Sequence, residues 1–316
     1  MLRWGLLGTA RINRLLIPAI RASARSEVAA VASRDAGRAA AYAAEWRIPR
    51  ADTYDALAAD PSIDILYVPL PNSLHAPWTL RALGAGRHVL CEKPLATAAA
   101  DVDDVAAAAA RSHRIVTEGF MYRHTEQTAR ILELLRSGAV GEVRAIESTF
   151  TFQQNRTPDV RLDPALGGGS LWDIGCYPVS FAQLLAGAEV AGVSGTAQVG
   201  RTGVDEGFTG RIAYANGIVC RFRCGFREDY RTSLRVIGTE GTLAVERPFR
   251  PEPVERLRLE HGGRIEEIPV EGSAIFAGEV ADMEDAVLGV RPPRITLAES
   301  RRNVATIERL LEAARR

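Results

Sequence analysis

The chain has 316 residues, of which 47% are hydrophobic and 25% are charged, and its formal net charge is +0 at pH 7. This length and composition indicate a globular protein of about two domains. Zero net charge provides no general field that would attract nucleic acid or an anionic membrane, so neither is an expected partner.

The first 120 residues alternate short apolar strands with helical stretches, which is the pattern of a parallel sheet covered by helices. Strands are predicted at 2–7, 28–32, 63–68, 87–91 and 115–117, and helices from about 13 and at 35–46, 74–83 and 98–110. Residues 1–120 are therefore expected to form a doubly wound Rossmann domain.

Residues 121–316 contain more strand-like runs and fewer helical stretches than the first 120 residues. Strands are predicted at 142–152, 207–215, 218–226, 233–237 and 242–246, and helices at 125–135, around 181–185 and at 301–314. Asn216-Gly217 is a strong signal for a two-residue hairpin turn. We expect a second, α+β domain with a mostly antiparallel sheet.

The segment between the first strand and the first helix can bind a pyrophosphate. Gly8 supplies the tight turn, and the backbone amides after it act together with the helix dipole. Ala10 and Asn13 replace two small residues of the G-x-G-x-x-G/A pattern. The motif is weak alone, but it lies where the fingerprint requires. A glycine turn without a ligand is the alternative; the predicted cofactor-binding residues are Gly8, Thr9, Ala10, Arg11 and Ile12.

The end of the second predicted strand favours NADP over NAD. An NAD site usually has an acid here, whereas this chain has Ser33 and Arg34, followed by Arg38. Arginine can bind a 2′-phosphate through two hydrogen bonds. Asp35 leaves NAD possible, because it either reaches the ribose or caps the next helix.

Two polar loops follow the third and fourth predicted strands, and both should face the same edge of the sheet as Gly8. His75 alone is more often a structural residue than a catalytic one. Two polar loops at the mouth of one crevice nevertheless indicate a ligand site; its predicted cofactor-binding residues are Leu70, Pro71, Asn72, His75, Glu92, Lys93 and Pro94.

Lys93 is the only lysine in a chain with 39 Lys+Arg residues. Arginine is planar and always protonated, whereas lysine is compact and its pKa shifts readily on burial. The position therefore indicates a site where guanidinium cannot replace an amine. The alternative is the chance survival of one surface lysine.

These motifs, together with Gly167–Tyr177, resemble the Gfo/Idh/MocA family over nearly the whole chain. They are most similar to the branch that contains glucose-fructose oxidoreductase, NADP-dependent xylose dehydrogenase and dihydrodiol dehydrogenase. The resemblance implies hydride transfer between a nicotinamide cofactor and a hydroxyl-bearing carbon of a sugar or polyol. It also implies that residues 121–316 bind substrate and form a homodimer or homotetramer through an open-faced sheet.

By matching position, the resemblance implies that Lys93 is the active-site lysine, Tyr177 the acid/base and Asp173 the acid one helical turn before it. Asp173 and Tyr177 are spaced i, i+4, so they share one face of a helix. A tyrosine with a pKa of about 10 needs a nearby ammonium to act as a base near neutral pH. Arg161 is expected either to bind substrate hydroxyls or to be an exposed loop residue. This proton-handling set requires no metal.

Two other functions remain open. A non-catalytic NADP-binding regulator can have the same fold, and one branch of the family is implied to act as an NAD(P)-dependent glycosidase. Steady accumulation of NADPH with a sugar separates a dehydrogenase from both.

The cysteines and the start of the chain give two further expectations. The cysteines show no Cys-x-x-Cys pairing and are interpreted as buried small hydrophobes; they are Cys91, Cys176, Cys220 and Cys224. The N-terminal residues lead directly into a strand, which leaves no room for a secretory signal, and no apolar run could span a membrane. A cytoplasmic protein is expected.

Overall fold

The computed structural model of the chain describes residues 1–315 and divides into two compact units. The first unit comprises Met1–Phe120 and Phe276–Arg301. The second comprises Met121–Ile275 and residues 302–315.

The first unit contains a six-stranded sheet in the order β3-β2-β1-β4-β5-β6, with every neighbouring pair parallel. Its strands are β1 Leu2–Leu7, β2 Ser26–Ala32, β3 Arg50–Asp52, β4 Ile65–Val68, β5 His88–Glu92 and β6 Val116–Gly119. Its first helices are α1 Asn13–Ala22, α2 Ala36–Trp46, α3 Tyr54–Ala59, α4 His75–Gly84 and α5 Ala99–Ser112. This strand order confirms the predicted Rossmann sheet.

The central strands of this sheet are apolar because helices cover both faces of a parallel sheet. Leu6, Leu66 and Leu90 are fully buried. A Cβ on Gly5 would lie 3.0 Å from side-chain carbons of Leu57 and Leu66. Glycine therefore lets α3 approach β1 closely.

The second unit contains an eight-stranded sheet in the order β14-β13-β12-β11-β7-β10-β9-β8. All neighbours are antiparallel except β7 and β10, so the mostly antiparallel sheet is confirmed. Its strands are β7 Val143–Gln153, β8 Val190–Val199, β9 Asp205–Tyr214, β10 Val219–Gly225, β11 Arg227–Gly238, β12 Gly241–Val245, β13 Val254–His261 and β14 Arg264–Glu271. Its helices are α6 Glu126–Arg136 and α7 Cys176–Ala186.

Strand β10 shows how the two faces of this sheet differ. Cys220, Phe222 and Cys224 are buried toward α7, which packs on β7 and β10, whereas Arg221 and Arg223 are exposed. All four cysteines are free and buried, which confirms their interpretation as small apolar side chains.

The predicted hairpin at Asn216-Gly217 joins β9 to β10, but its loop is one residue longer than expected. Tyr214 and Ile218 are paired through the amide of Tyr214, and Gly217 has a φ of +86°. Three residues therefore lie between this pair, and the left-handed glycine closes the turn, as in three-residue hairpins.

The last two helices are α8 Ala277–Val287 and α9 Leu297–Ala313. Helix α8 packs against α1 within the first unit. Helix α9 begins four residues before its predicted start at Arg301. No helix within residues 1–315 is long and apolar enough to cross a membrane.

Six elements were not predicted from the sequence: β3, α3, β8, β13, β14 and α8. Strand β3 has only three residues. Strand β8 has no buried position, and β13 and β14 carry many charges, so the apolar signal of a strand is weak in each. Helix α8 has no side-chain N-cap to mark its start.

Candidate active site

The turn between β1 and α1 has the conformation that a phosphate-binding turn needs. Gly8 has a φ of +131°, a value that side-chain-bearing residues rarely adopt. Asn13 is fully buried, and its Nδ2 donates a hydrogen bond of 2.8 Å to the Gly8 carbonyl. Sequence reasoning treated Asn13 only as a departure from the glycine pattern. In the structure this amide clamps the turn.

The end of β2 presents two guanidinium groups. Arg34 and Arg38 are exposed, whereas Ser33 is buried. Asp35 Oδ1 accepts a 2.7 Å hydrogen bond from the backbone amide of Arg38, so this carboxylate caps α2. Of the two roles left open for Asp35, the structure therefore shows the helix cap.

His75 connects the loops that follow β4 and β5. Its ring nitrogens lie 2.7 Å from the carbonyl oxygens of Pro94 and Leu70. Burial lowers the pKa of His75 to about 4, the two carbonyls oppose that shift, and the charge of Lys93 adds to it. A neutral ring donates from one nitrogen only, so it can satisfy one carbonyl at a time.

Lys93 is half-buried and directly follows Glu92 at the end of β5. Glu92 Oε1 accepts a 2.6 Å hydrogen bond from the hydroxyl of Tyr67 on β4. Glu118 Oε1 accepts one of 2.9 Å from the amide of Leu95. The carboxylate of Glu92 thus links β5 to β4, and that of Glu118 links β6 to the loop after β5. Lys93 lies in sequence between Glu92 and Leu95, the two residues of β5 and its loop that form these bonds.

A third carboxyl group, that of Glu279 on α8, is completely enclosed in the first unit. Burial raises its pKa well above the ordinary value, and the charges of Glu92 and Asp282 add to that shift. Burial therefore favours the neutral form of Glu279, and the charge of Glu92 at the end of β5 acts in the same direction. Nothing in the sequence distinguished it from the many exposed glutamates.

Tyr177 lies in an aromatic cluster of the second unit, formed by Tyr122, Phe150, Tyr177, Phe181 and Phe249. The Tyr177 ring centroid is 5.4 Å from that of Phe150 and 5.5 Å from that of Phe249. Its hydroxyl donates to Met121 Sδ at 3.7 Å. The phenol is thus held rigidly among apolar neighbours, with 4% of its surface exposed.

Asp173 lies in a widened π-helical turn, Leu171–Gly175, that leads directly into α7. Such turns are rare and occur frequently at functional sites. Asp173 Oδ2 accepts a 2.6 Å hydrogen bond from Arg161 Nε. The charge of Asp173 is the main cause that raises the pKa of Arg161. Arg161 is therefore an ion-pair partner of Asp173.

The glycine run before this turn is required by close packing within the second unit. A Cβ on Gly168 would lie 2.6 Å from the carbonyl oxygen of Arg161, and one on Gly169 would collide with the Asp205 carboxylate. Asp205 accepts hydrogen bonds from Ser170 Oγ and the amide of Leu171, while burial raises its pKa to about 6. The glycines are thus needed because the backbone before the turn lies in close contact with Arg161 and Asp205.

The predicted cofactor residues all belong to the first unit, and the carboxyl ends of its parallel strands place their loops at one edge of its sheet. Lys93 lies at the same edge. Asp173, Tyr177 and Arg161 belong to the second unit. Within residues 1–315, no group of three His, Cys, Asp or Glu side chains is arranged to hold a metal ion.

Both halves of the chain match one family. Residues 2–120 match the oxidoreductase family with an NAD-binding Rossmann fold, and residues 128–244 match the GFO/IDH/MocA C-terminal domain. The chain is 37% identical to a D-xylose 1-dehydrogenase (NADP(+)) of Haloferax volcanii, over 98% of this chain and 97% of that protein. It is 35% identical to dTDP-3,4-didehydro-2,6-dideoxy-α-D-glucose 3-reductase of Streptomyces antibioticus, over 99% and 97%.

Two solved structures of oxidoreductases have the same fold as this chain. A 3-ketoreductase from Actinomadura kijaniata, solved in complex with NADP and TDP-benzene, superimposes with a TM-score of 0.94 at 30% identity, over 99% of this chain and 97% of that one. An aldose-aldose oxidoreductase from Caulobacter crescentus, in complex with glycerol, gives a TM-score of 0.91 at 28% identity, over 99% and 97%.

Proposed function

Because the chain belongs to the Gfo/Idh/MocA oxidoreductase family, we propose that it transfers hydride between NADP and a hydroxyl-bearing carbon of a sugar or related polyol. The observation that carries this proposal is the full-length similarity to NADP-dependent sugar dehydrogenases and reductases. The clamped Gly8 turn and the two exposed arginines after β2 fit a phosphorylated dinucleotide.

We assign three groups of residues to the cofactor. Backbone amides of the β1–α1 turn hold the pyrophosphate, the end of β2 binds the 2′-phosphate, and the loops after β4 and β5 form the nicotinamide side. The ring of His75 lies between the carbonyl oxygens of Leu70 and Pro94 and holds these two loops together. The residues are Gly8, Thr9, Ala10, Arg11, Ile12, Ser33, Arg34, Arg38, Leu70, Pro71, Asn72, His75, Glu92, Lys93 and Pro94.

The proposed chemistry needs one proton transfer on the substrate oxygen, while the bound cofactor accepts or supplies the hydride. Tyr177 moves that proton. Its neighbours are apolar rings, so a phenolate there needs an ammonium beside it, and we assign that role to Lys93. Asp173, oriented by Arg161, contacts the substrate hydroxyls or orients Tyr177. All four residues therefore contribute to substrate binding, with Lys93, Tyr177 and Asp173 as the catalytic residues.

A substrate screen tests this function directly. We expect NADPH to form from NADP with at least one member of a panel of aldoses, inositols and dihydrodiols, or NADPH to be consumed with a dTDP-linked ketosugar. A regulator would bind NADP without turnover. A glycosidase would release sugar without net NADPH, so reducing-sugar release is measured in parallel.

Cofactor choice is tested by Arg34→Asp. A hydrogen bond to a charged group contributes roughly 1.5 to 3 kcal/mol, so the preference for NADP over NAD should fall by about tenfold or more. Dissociation constants of both cofactors give the answer. Equal constants in the unmodified protein would contradict the assignment of Ser33, Arg34 and Arg38.

We also propose that the chain forms a homodimer or homotetramer through the exposed face of the eight-stranded sheet. That face carries Arg221 and Arg223 on β10, and Arg235 on β11 paired with Glu147 on β7. Light scattering after size exclusion should give a mass of two or four chains, and Arg221→Glu with Arg223→Glu should lower it. A monomeric wild-type protein would contradict this assembly. The cytoplasmic location stays a prediction.

A further inference from the structure

The carboxylate of Asp205 binds the start of the π-helical turn from outside that turn. Asp205 is the first residue of β9 and is 7% exposed. Its Oδ2 accepts a 2.6 Å hydrogen bond from Ser170 Oγ and one of 2.8 Å from the backbone amide of Leu171. The first amides of a helical segment have no partner within it, and Ser170 does not cap the turn with its own side chain. Asp205 therefore acts as the cap.

The other oxygen of this carboxylate lies against the glycine before the turn. A Cβ on Gly169 would collide with Asp205 Oδ1, and Gly169 has a φ of +121°. The backbone amide of Asp173 donates a 3.0 Å hydrogen bond to the carbonyl oxygen of Gly169. Asp205 thus contacts the residue to which the backbone of Asp173 is directly bonded.

Asp205 is anchored in the eight-stranded sheet. Directly after it, β9 pairs with β10, and the carbonyl oxygen of Glu206 accepts a 2.7 Å hydrogen bond from the amide of Phe226. The far end of the turn packs on β10, because a Cβ on Gly175 would lie 2.8 Å from Cys224 Sγ. The sheet therefore holds the turn at both of its ends.

The position of this turn determines where two functional side chains lie. The turn contains Asp173 and leads directly into α7, of which Tyr177 is the second residue. A displacement of about 1 Å in a reacting group can lower a rate about a hundredfold. A shift at the start of the turn would therefore move both residues to which we assign the proton transfer.

We propose that Asp205 is a positioning residue for the reaction: its carboxylate holds the start of the π-helical turn, so that Asp173 and Tyr177 stay aligned with the substrate. This inference rests on the proposed function of those two residues. Asp205 acts through Ser170 and Leu171 and needs no contact with substrate or cofactor. Burial raises the pKa of Asp205 to about 6, so the group is ionised at pH 8 and both bonds are charge-assisted.

Two variants test the proposal at pH 8, with a compound that the substrate screen identifies. Asp205→Ala removes the acceptor, whereas Asp205→Asn keeps the shape and one carbonyl oxygen. We expect kcat to fall about a hundredfold in Asp205→Ala and clearly less in Asp205→Asn. Amide hydrogen exchange in the peptide 169–177 should become faster in the same order. The NADP dissociation constant should not change, because the predicted cofactor residues belong to the first unit.

Ser170→Ala provides an independent check, because it removes one donor and leaves the carboxylate. Its kcat loss should be smaller, and adding it to Asp205→Ala should cause little further loss, since both changes break one contact. Glu255→Gln is the matched control. Glu255 is also buried, accepts hydrogen bonds from Arg247 and the amide of Glu252, and lies on β13, away from β9 in the sheet. That variant should keep normal kcat and normal exchange in the peptide.

Three results would overturn the inference. Unchanged exchange in Asp205→Ala would show that the carboxylate does not hold the turn, and faster exchange with normal kcat would show that catalysis does not depend on this hold. Fully additive losses with Ser170→Ala would show that the two groups act separately. If Asp205→Ala does not fold, Ser170→Ala decides by the same exchange and kcat measurements. A wild type that turns over no compound of the screen contradicts the proposed function itself, and the inference fails with it.

Discussion

Both the composition of the chain and the position of Lys93 indicate that this residue has a functional role. It is the only lysine, it is half-buried, and it follows Glu92, which is fixed by Tyr67. Lys93→Arg keeps the charge but changes its size and geometry. We expect normal NADP affinity with kcat lowered at least about a hundredfold, within the range for a positioned acid/base set. Near-normal kcat would show that any cation suffices.

Tyr177→Phe separates a catalytic phenol from a packing residue. The ring contacts with Phe150 and Phe249 remain, so the melting temperature should hold while kcat falls by roughly 10²- to 10⁴-fold. Tyr122→Phe is the control, because it removes a buried hydroxyl that bonds Ser180. That variant should lose about 1 kcal/mol of stability and retain turnover. Normal kcat in Tyr177→Phe would move the proton role to another residue.

His75 predicts a pH dependence of stability. Its pKa falls from the ordinary 6.5 to about 4 on folding, so the unfolded chain binds more protons between these values. Its contribution is present above about pH 6.5 and is lost as the pH falls toward 4. Stability of the wild type should drop by an amount on the order of 3 kcal/mol relative to His75→Gln over this range. A constant difference in unfolding free energy would show that the pKa of His75 does not change on folding.

At the scale of elements, the β1–α1 turn should serve NADP and NAD alike. Asn13→Ala leaves the buried Gly8 carbonyl without its side-chain donor, which costs about 1–3 kcal/mol. Both cofactors should bind more weakly by similar factors, because they share the pyrophosphate. Leu15→Ala, on the exposed side of α1, is the control. Selective loss of NADP would contradict this role.

The elements that could be predicted from the sequence are those with strong local signals. β1, β2, β4 and β5 are apolar runs, and Asp35 caps α2 through its own side chain. β13 is instead stabilised by pairing with β12 and β14, and β14 by pairing with β13. Their propensity depends on these partners, so a single sequence does not reveal them.

At the scale of the whole molecule, motif positions were more predictable than contacts. Strand ends locate the loops that carry Gly8, Arg34 and Lys93, because parallel strands share one carboxyl edge. The ion pair of Arg161 with Asp173 joins a loop to a helical turn, and no local pattern encodes it. The enclosed carboxyl of Glu279 depends in the same way on where α8 packs.

The central claim is hydride transfer between a sugar carbon and NADP, and isotope transfer tests it most directly. The sugar that supports turnover is labelled with deuterium at the carbon to be oxidised, incubated with NADP and the protein, and the nicotinamide is analysed by mass spectrometry. We predict that the deuterium appears in the reduced cofactor. Reduced cofactor without the label, or no hydride transfer in either direction with any compound of the substrate screen, would contradict the account.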